Sequence, residues 1–412
     1  MKKKLARRLK KTKIGAWVIK KVRERRRNQM CQRLSKEAVI NEKKVIFSAF
    51  SGRLYACSPK AIYEYMIQSP EFKDYTFVWA FTKPDQKQHL FHDSRTILVK
   101  FQSEAFFQHL STARYWVFNF TTPSYFIKRD DQIFVQCWHG TPLKRIGMDI
   151  QVDGNAATKK EDIHKHYLEV GKICDYFLSP SKFATDRFIS AFGLNVLHKE
   201  HVIIEQGYPR NASLFTGTEE KIKALRESFG IPEGKKVILY CPTFRDDQYQ
   251  KGLGHTYQLG INLLRLKEKL PPDYFLLLRL HYLVSNKIDI SQFKGFALDV
   301  SHYDDVNDLY LVSDMLVTDY SSVFFDFENL HRPIIFYMYD LADYKNKLRD
   351  FYLDLNELPG PIVEKERDLI DTILNIDQIA LDYEGNYQRC CERFNYLDDA
   401  EATQRVVKEF MK

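Results

Sequence analysis

Short runs of consecutive apolar residues recur along the chain after Lys36, and amphipathic stretches separate them. In the first half these runs are 44–50, 76–81, 96–99, 115–120, 133–138, 176–178 and 202–205. Continuous apolar runs of this kind are typical of strands that are buried on both faces, as in a parallel sheet. The stretches between them predict helices, among them 60–67, which follows the start signal Ser58-Pro59, and 103–110.

The same alternation restarts after the turn-rich segment Gly207-Tyr208-Pro209-Arg210-Asn211. The later apolar runs are 236–240, 274–280, 296–300, 315–318 and 333–339. Two successive strand and helix series of similar size predict an α/β protein with two doubly wound parallel sheets that face each other across a cleft. We therefore divide the chain into a basic tail at 1–36, a first domain at 37–208, a second domain at 209–384 and a closing C-terminal helix at 385–412.

Charge is distributed unevenly along the chain. The net charge of the 412 residues is +8, but fourteen Lys and Arg residues against the single Glu24 give the first 27 residues a charge of +13, so the remaining 385 residues carry −5. Ile14, Trp17, Val18 and Val22 recur at helical spacing within this tail. No apolar run approaches the roughly 20 residues that are needed to cross a bilayer.

This pattern favours a tail that binds the anionic surface of a membrane, because each basic residue near the headgroups contributes about 1 kcal/mol. A solvated arm and a nucleic-acid-binding tail are the alternatives. We favour the membrane because Trp17 and its aliphatic neighbours gain nothing from contact with a phosphate backbone. The rest of the chain is net negative and carries no recognition motif for nucleic acid.

The sequence argues against several other classes of chemistry. Neither GxGxxG nor GxxxxGK[ST] occurs, which argues against a dinucleotide oxidoreductase and a nucleoside-triphosphate hydrolase. The seven cysteines include no CxxC pair and follow no signal peptide, so the cytosol is the expected compartment. No His, Cys and carboxylate cluster has metal-ligand spacing. We expect no tightly bound cofactor. The sequence leaves open whether a divalent metal binds together with the donor phosphates.

The first candidate for chemistry is the segment Trp138-His139-Gly140-Thr141-Pro142-Leu143-Lys144, where the fifth apolar run ends. Ligands of doubly wound sheets bind beyond the carboxyl ends of the strands, so His139 is expected at the edge of the cleft. A neutral imidazole there can accept the proton of an attacking hydroxyl, a role worth about 10²- to 10⁴-fold in rate. A histidine that only bonds its own loop is the alternative. Gly140, Thr141 and Lys144 are expected to support this loop or to contact the acceptor.

Two further strand ends carry groups that are suited to phosphate. Arg279 and His281 are two residues apart, share one face of a strand and can both point at one anion. Asp319, Ser321 and Ser322 lie in the turn between an apolar strand and an apolar helix, where free amides and hydroxyls favour an anion. An exposed strand end and a serine N-cap are the corresponding structural alternatives.

A fourth candidate follows the first strand of the second series. Thr243 and Arg245 come directly after this strand and are expected to meet the phosphate of the donor or the acceptor. The structural alternative is a turn at Pro242 with a surface Arg–Asp pair, which contributes about 0 to 1 kcal/mol.

Taken together and in this order, these segments resemble the CDP-glycerol:glycerophosphate glycerophosphotransferases, the primases and polymerases of wall teichoic acid and of related capsules. The matching segments are Ser58-Pro59-Lys60-Ala61-Ile62-Tyr63-Glu64-Tyr65, Trp138 to Lys144, Gly207-Tyr208-Pro209-Arg210-Asn211, Cys241-Pro242-Thr243-Phe244-Arg245-Asp246, Asp314 to Phe327, Arg332-Pro333-Ile334-Ile335-Phe336-Tyr337, and Phe351-Tyr352 leading to Leu358-Pro359-Gly360-Pro361. They cover nearly everything from about residue 40 to 375. In length, the chain resembles a primase or a short capsule enzyme more than it resembles many of the polymerases.

The resemblance implies a GT-B fold and peripheral association with the cytoplasmic face of the membrane. It implies transfer of glycerol phosphate from CDP-glycerol to a lipid-linked glycan or polyol-phosphate acceptor, with release of CMP. By position, it implies His139 as the base, His281 as a contact to the donor phosphate, and Ser321 and Ser322 near the pyrophosphate. We expect direct displacement at the donor's β-phosphorus, with Arg279 sharing the charge of the departing CMP.

Alternatives remain at this stage. A CDP-ribitol donor and a GT-B glycosyltransferase that uses a sugar nucleotide are the enzymatic ones, since a fold does not determine the reaction. A protein that binds nucleic acid through its basic tail is the alternative from another class. The sequence leaves open whether transfer occurs once or repeatedly, which glycan accepts, and the oligomeric state, a homo-oligomer included.

Overall fold

Two parallel sheets form the body of the chain. The computed structural model describes residues 13–151, 159–243, 249–250, 254–255, 259–280, 289–342 and 351–412. The strands of the first sheet are β1 (Asn41–Ser48), β2 (Thr76–Phe81), β3 (Thr96–Lys100), β4 (Ala113–Phe118), β5 (Ile133–Gln136), β6 (Tyr176–Ser179) and β7 (Ile203–Glu205). They are followed by β8 (Lys236–Cys241), β9 (Tyr249–Gln250), β10 (Gly254–His255), β11 (Tyr274–Leu278), β12 (Ala297–Asp299), β13 (Met315–Thr318), β14 (Ile334–Tyr337) and β15 (Ile362–Val363). Strands β9 and β10 form a separate antiparallel pair, and the others form the second sheet.

Helices separate the strands and flank both sheets. The helices are α1 (Lys13–Glu37), α2 (Cys57–Gln68), α3 (Glu104–Thr112), α4 (Lys160–Ile173), α5 (Lys182–Ala191), α6 (Ala212–Phe215), α7 (Glu219–Ser228), α8 (Leu263–Lys269), α9 (Val306–Val312), α10 (Val323–Phe327), α11 (Glu366–Leu374), α12 (Ile376–Phe394) and α13 (Ala402–Phe410). Two helices begin at typical N-caps, since Ser103 and Thr218 accept backbone hydrogen bonds at the starts of α3 and α7.

The two sheets share one strand order. The first runs β3-β2-β1-β4-β5-β6-β7 and the second runs β12-β11-β8-β13-β14-β15, and all neighbours within them are parallel. In each sheet the order reverses next to the first strand, between β1 and β4 and between β8 and β13. Ligands of doubly wound folds bind at these reversal points. The prediction of two doubly wound sheets is confirmed.

Each sheet is buried on both faces, which explains the continuous apolar runs in the sequence. In β1, Ile46 packs on one face, and Val45 and Phe47 pack on the other. In β8, Leu239 and Ile238 divide in the same way between two clusters. Alternate side chains of a strand point to opposite faces, so an apolar residue is required at every position.

The basic N-terminal helix is partly docked on the first domain. Cys31 of α1 is 0% exposed, and Met30 and Leu34 pack beside it against the helix α3 side of the first sheet. Trp17, in contrast, is 60% exposed. The segment predicted as a tail at 1–36 therefore continues as helix to Glu37, and its last turns belong structurally to the first domain. Within the described residues, no helix is both long and apolar enough to span a membrane.

The C-terminal segment 385–412 contains the end of one helix and a second helix. Helix α12 ends at Phe394, and α13 follows after a break. Val406, Val407 and Phe410 of α13 are buried against the first sheet, where each apolar side chain contributes about 1.5–3 kcal/mol. The chain therefore crosses from the second domain back to the first.

Ion pairs also join the two domains near the start of α2. The Lys60 Nζ lies 2.6 Å from Asp305 Oδ2, and Lys87 pairs with Asp304. The Asp304 carboxylate also accepts a hydrogen bond from the backbone N–H of Tyr55 at 3.0 Å. These contacts hold the carboxyl edge of the first sheet against the loop that precedes α9.

Candidate active site

The candidate active site lies in the cleft where the reversal points of the two sheets face each other. His139 follows β5, next to the end of β4, and Ser321 and Ser322 follow β13, next to the end of β8. The sequence predicted both positions from the rule that polar residues after buried strands line the cleft.

His139 is held in one tautomer by the backbone of the neighbouring strand end. Its Nδ1 lies 2.9 Å from the carbonyl oxygen of Asn119, the residue directly after the end of β4. A carbonyl can only accept, so Nδ1 carries the proton and donates it. The side chain is exposed to the cleft, which leaves the unprotonated Nε2 as the nitrogen available to an incoming hydroxyl.

The surroundings of His139 keep it neutral. Its pKa is lowered to about 4, mainly because the surrounding protein disfavours the charged imidazolium. The hydrogen bond to Asn119 opposes this shift, and the positive charges of Arg210 and Arg53 add to it. His139 is therefore a proton acceptor throughout the neutral range.

Glycine at position 140 allows the two domains to approach closely. Its φ is +150°, and a Cβ at this position would lie 3.2 Å from the Ser322 Oγ and 3.3 Å from the Arg210 Nη2. A side chain here would be strained and would push against both groups. The His139 loop and the Ser322 turn therefore meet at this glycine.

The remainder of the loop after β5 continues into the second domain. Thr141 is buried, and Leu143 packs in the core of the second domain with Tyr320 and Phe324. Lys144 forms an antiparallel bridge with Phe351. The predicted role of Thr141 and Lys144 in acceptor binding stays a prediction, and their observed contacts support the loop.

Arg210 connects the histidine loop to the second domain. Its Nη1 donates to the carbonyl oxygen of His139 at 2.8 Å, and its Nη2 donates to both carboxylate oxygens of Asp326, at 2.5 and 2.6 Å. The side chain of Arg210 is 8% exposed. Asp326 lies in α10, which begins directly after Ser322. One buried ion pair therefore connects both the His139 loop and the serine turn.

A second carboxylate extends this network towards the C-terminus. The Asn211 Nδ2 donates to Asp326 at 3.1 Å and to Asp398 at 2.6 Å, and Asp398 also accepts from the backbone N–H of Tyr208 at 2.7 Å. Burial raises the pKa of Asp398 to about 6, and these hydrogen bonds oppose the shift. The break between α12 and α13 is thereby attached to the floor of the site.

Asp319 joins the two strand ends at the reversal point of the second sheet. Its two carboxylate oxygens accept the backbone N–H of Thr243 at 2.8 and 3.0 Å. Asp319 is 2% exposed, so it positions the Thr243 turn from below. The predicted contacts of Asp319 and Thr243 with the donor stay predictions.

The serine turn is open to the cleft. Ser321 and Ser322 are half-buried, and Ser322 stands at the N-cap of α10 without a capping hydrogen bond from its side chain within the described residues. The hydroxyl is directed towards Gly140 instead. The N-cap alternative for Ser322 is therefore not realised, although α10, at five residues, offers only a small helix dipole.

Arg279 is held by backbone carbonyls. Its Nη1 donates to the carbonyl oxygens of Val300 at 2.9 Å and Ser301 at 3.3 Å, and also to that of Tyr303. This arrangement stabilises the loop after β12, and a contact of Arg279 with the donor stays a prediction. His281, the second predicted catalytic residue, and Arg245, a predicted donor residue, lie outside the described residues.

The sequence reasoning assigned no chemical role to Arg210 or Asp326. A signal was present, because Asp326 is a lone acid between Phe325 and Phe327 in an otherwise apolar helix. Buried acids require a partner. The identity of that partner was not apparent from the sequence. In the described ranges, no group of three or more His, Cys, Asp or Glu side chains is arranged to hold a metal ion.

Comparison with known proteins relates this geometry to one family. The family model described as CDP-glycerol:poly(glycerophosphate) glycerophosphotransferase matches residues 30–412. A teichoic acid poly(glycerol phosphate) polymerase from Bacillus subtilis is 37% identical over 90% of this chain, and the chain spans 49% of that protein. A teichoic acid glycerol-phosphate transferase from Staphylococcus aureus is 38% identical, with 90% and 94% of the two chains covered. The chain thus spans about half the length of some curated relatives and nearly all of others.

The length of the chain alone predicted a likeness to a primase. A teichoic acid glycerol-phosphate primase from Bacillus subtilis is 32% identical over 73% of this chain. The polymerase and the transferase are more similar in sequence.

Solved structures agree with the sequence comparisons. The wall teichoic acid polymerase TagF superposes with a TM-score of 0.86 at 36% identity, and 95% of each chain is covered. A UDP-GlcNAc 2-epimerase from Neisseria meningitidis superposes with a TM-score of 0.51 at 13% identity over 89% of this chain and 99% of its own, a likeness of fold alone. The predicted GT-B-like fold is confirmed. On its sequence, its fold and the match along nearly its whole length, the chain belongs to the CDP-glycerol:poly(glycerophosphate) glycerophosphotransferase family.

Proposed function

We propose that this protein transfers glycerol phosphate from CDP-glycerol to a hydroxyl group of a lipid-linked acceptor and releases CMP. The observation that carries the proposal is the position of His139. It is neutral, its Nδ1 is bonded to Asn119, its side chain is exposed, and the neighbouring Gly140 lies against Ser322 of the second domain. A base on one domain thus faces an anion-suited turn on the other.

The reaction is a single displacement at phosphorus. The acceptor oxygen bonds to the β-phosphorus of CDP-glycerol while its proton passes to the Nε2 of His139. The bond between that phosphorus and the bridging oxygen breaks, and CMP leaves with the electron pair. Ser321 and Ser322 hold the pyrophosphate, and His281 and Arg279 stabilise the charge of the leaving phosphate. Such a reaction depends chiefly on positioning and electrostatics.

The choice of donor rests on the relatives. One structure of a TagF variant contains CDPG, and it superposes with a TM-score of 0.86. The poly(ribitol-phosphate) polymerase of Bacillus spizizenii is 27% identical to this chain, compared with 36% for the poly(glycerol phosphate) polymerase from the same strain. Glycerol phosphate is therefore the favoured group and ribitol phosphate the alternative.

The same relatives and the charge of α1 support a proposal for the acceptor and the cellular site. The relatives are teichoic acid polymerases, and by this likeness we propose a lipid-linked glycan or polyol phosphate as the acceptor. We propose that the protein acts at the cytoplasmic face of the membrane, to which the basic residues of the first 27 positions attach it.

The test is product analysis with purified protein. The protein is incubated with CDP-glycerol, CDP-ribitol or a UDP-sugar, together with a short lipid-disaccharide acceptor, and the product masses are measured. The proposal expects CMP release and a mass gain of one or more glycerol phosphate units with CDP-glycerol alone. Transfer of ribitol phosphate or of a sugar in its place would overturn the choice of donor.

A further inference from the structure

A polar groove lies beside the first half of α1, at the same edge of the first sheet as His139. It encloses about 760 Å³ between α1, the segment 121–125 that follows β4, and the first half of α4. Lys21 and Arg25 line one wall, Thr121, Ser124 and Tyr125 line the floor, and His166 lines the far wall. We call this feature the helix groove.

The docking of α1 determines which of its residues face the groove. The lining residues Lys21, Glu24, Arg25 and Asn28 are spaced by three, four and seven positions, so they form one face of the helix. Another face, around Cys31, is buried against the first domain. The orientation of the basic groove face is therefore imposed by the packing of the later turns.

The helix groove adjoins the neighbours of His139. Thr121 lies two residues after Asn119, whose carbonyl oxygen accepts the hydrogen bond from His139. On the far wall, His166 precedes Tyr167, whose ring centroid lies 5.6 Å from that of Trp138. The floor of the groove is thus close in sequence to Asn119, and its far wall is adjacent in sequence to a residue that packs on Trp138, the neighbour of His139.

The lining combines cations with hydroxyl, amide and carboxylate groups. Lys21 pairs with Glu24 at 3.6 Å, whereas Arg25 forms no ion pair with any residue that the structure describes. Desolvation lowers the pKa of His166, which favours its neutral form. Asp162 is the acidic residue of the far wall. Phosphodiesters require cations, and polyol hydroxyls require both donors and acceptors.

We propose that the helix groove binds the polyol-phosphate part of the acceptor, with Arg25 and Lys21 on phosphate oxygens and the 121–125 segment on hydroxyls. This inference rests on the proposed function and adds the place of the growing chain. Trp17, which is 60% exposed, lies one turn before Lys21 on the same face of α1. The groove face of α1 therefore continues towards the exposed apolar end of the helix.

The test compares two neighbouring arginines. Arg25→Glu reverses the charge inside the groove, and Arg26→Glu makes the same change at an exposed position that does not line it. Binding of a soluble glycerol phosphate oligomer is measured by calorimetry on the full chain without CDP-glycerol. We expect about tenfold or greater weakening with Arg25→Glu, the usual scale for a hydrogen bond to a charged group, and less than twofold with Arg26→Glu. Ser124→Trp, at an exposed position, should block binding by bulk.

Other outcomes would overturn the inference. If the wild-type chain does not bind the oligomer, or if the two charge reversals weaken binding equally, the groove is not the site. If Arg25→Glu weakens binding to anionic vesicles alone, the groove face serves the lipid surface instead. A failure of the proposed function shows separately, as absence of CMP release from CDP-glycerol by the wild-type chain.

Discussion

At the scale of single residues, His139 has the most constrained chemistry. Its Nδ1 is held by Asn119, and its pKa of about 4 lies below the ordinary histidine value. Replacement by alanine should lower turnover by about 100-fold or more, the usual cost of losing a general base. Initial rates of CMP release measure this, with thermal denaturation as the control for folding. A variant that keeps more than about a tenth of the wild-type rate would contradict the assignment.

The same pKa predicts the pH dependence of the wild-type enzyme. Protonation removes the base, so activity falls as the pH drops through the pKa of His139. The acid limb of kcat/KM should therefore lie near the pKa of about 4, well below the value of about 6.5 for an unperturbed histidine. A limb near 6.5 would show that His139 is not the titrating group or is not desolvated.

Arg210 gives a second prediction at this scale, since it contacts the His139 carbonyl and repels the imidazolium. Arg210→Lys retains the charge but loses the forked contact, whereas Arg210→Met with Asp326→Asn removes both charges of the pair. The double change avoids an unpaired buried acid, which costs about 3–5 kcal/mol. Both variants should reduce kcat, because the histidine loop and the serine turn lose their connection.

The pH profile separates the two Arg210 variants. Loss of the positive charge removes a repulsion that lowers the pKa of His139, so the acid limb should move to higher pH in the double variant and stay in place with Arg210→Lys. Arg53 is the other cation near the imidazole, and Cys57 lies next to Arg210. Both residues are unchanged in the two variants. Equal profiles in the two variants would leave Arg210 with a purely structural role.

At the scale of elements, the serines of the turn between β13 and α10 can be tested as donor contacts or as helix caps. Ser322 does not cap α10 with its side chain within the described residues, so its hydroxyl is available to a ligand. Ser321→Ala with Ser322→Ala should weaken CDP-glycerol binding by about tenfold or more, the scale of hydrogen bonds to a charged group. Calorimetry measures this, with the exposed Ser228→Ala in α7 as the matched control. Unchanged donor affinity in the double variant would remove the turn from the donor site.

At the scale of the whole molecule, α1 has a packed half and an exposed half. Its last turns pack on the first domain, and its first turns expose Trp17, Val18 and Val22. Deletion of residues 2–20 removes nine of the fourteen basic residues of the first 27 positions and spares the docked turns and the groove face. The truncated protein should lose binding to anionic vesicles and activity on a membrane-embedded acceptor. It should keep its activity on a soluble one.

Salt provides the physical control for that deletion. The Debye length falls from about 10 Å at 0.1 M to about 3 Å at 1 M salt, so high salt should release the full-length chain from vesicles as the deletion does. Vesicle sedimentation measures both effects. If the truncated protein still sediments at low salt, the anchor lies elsewhere and the early turns of α1 are a solvated arm.

The sequence by itself determined the two sheets and the burial of their strands on both faces. Strands β2 and β13 begin and end where the apolar runs do, at 76–81 and 315–318, because a strand buried on both faces needs an apolar residue at every position. It also located His139 and Ser322, because residues directly after such strands lie at the edge where ligands bind.

Only the tertiary structure decided how these parts meet. Arg210 lies 71 residues from the carbonyl that it bonds and 116 residues from Asp326, and no periodicity relates residues so far apart in sequence. The basic pattern of α1 also could not show which face packs, since charges surround the helix and only the contacts of Cys31 with the first domain orient it. Local patterns determine elements, whereas the pairing of buried charges and the orientation of a basic helix depend on surfaces that exist only after folding.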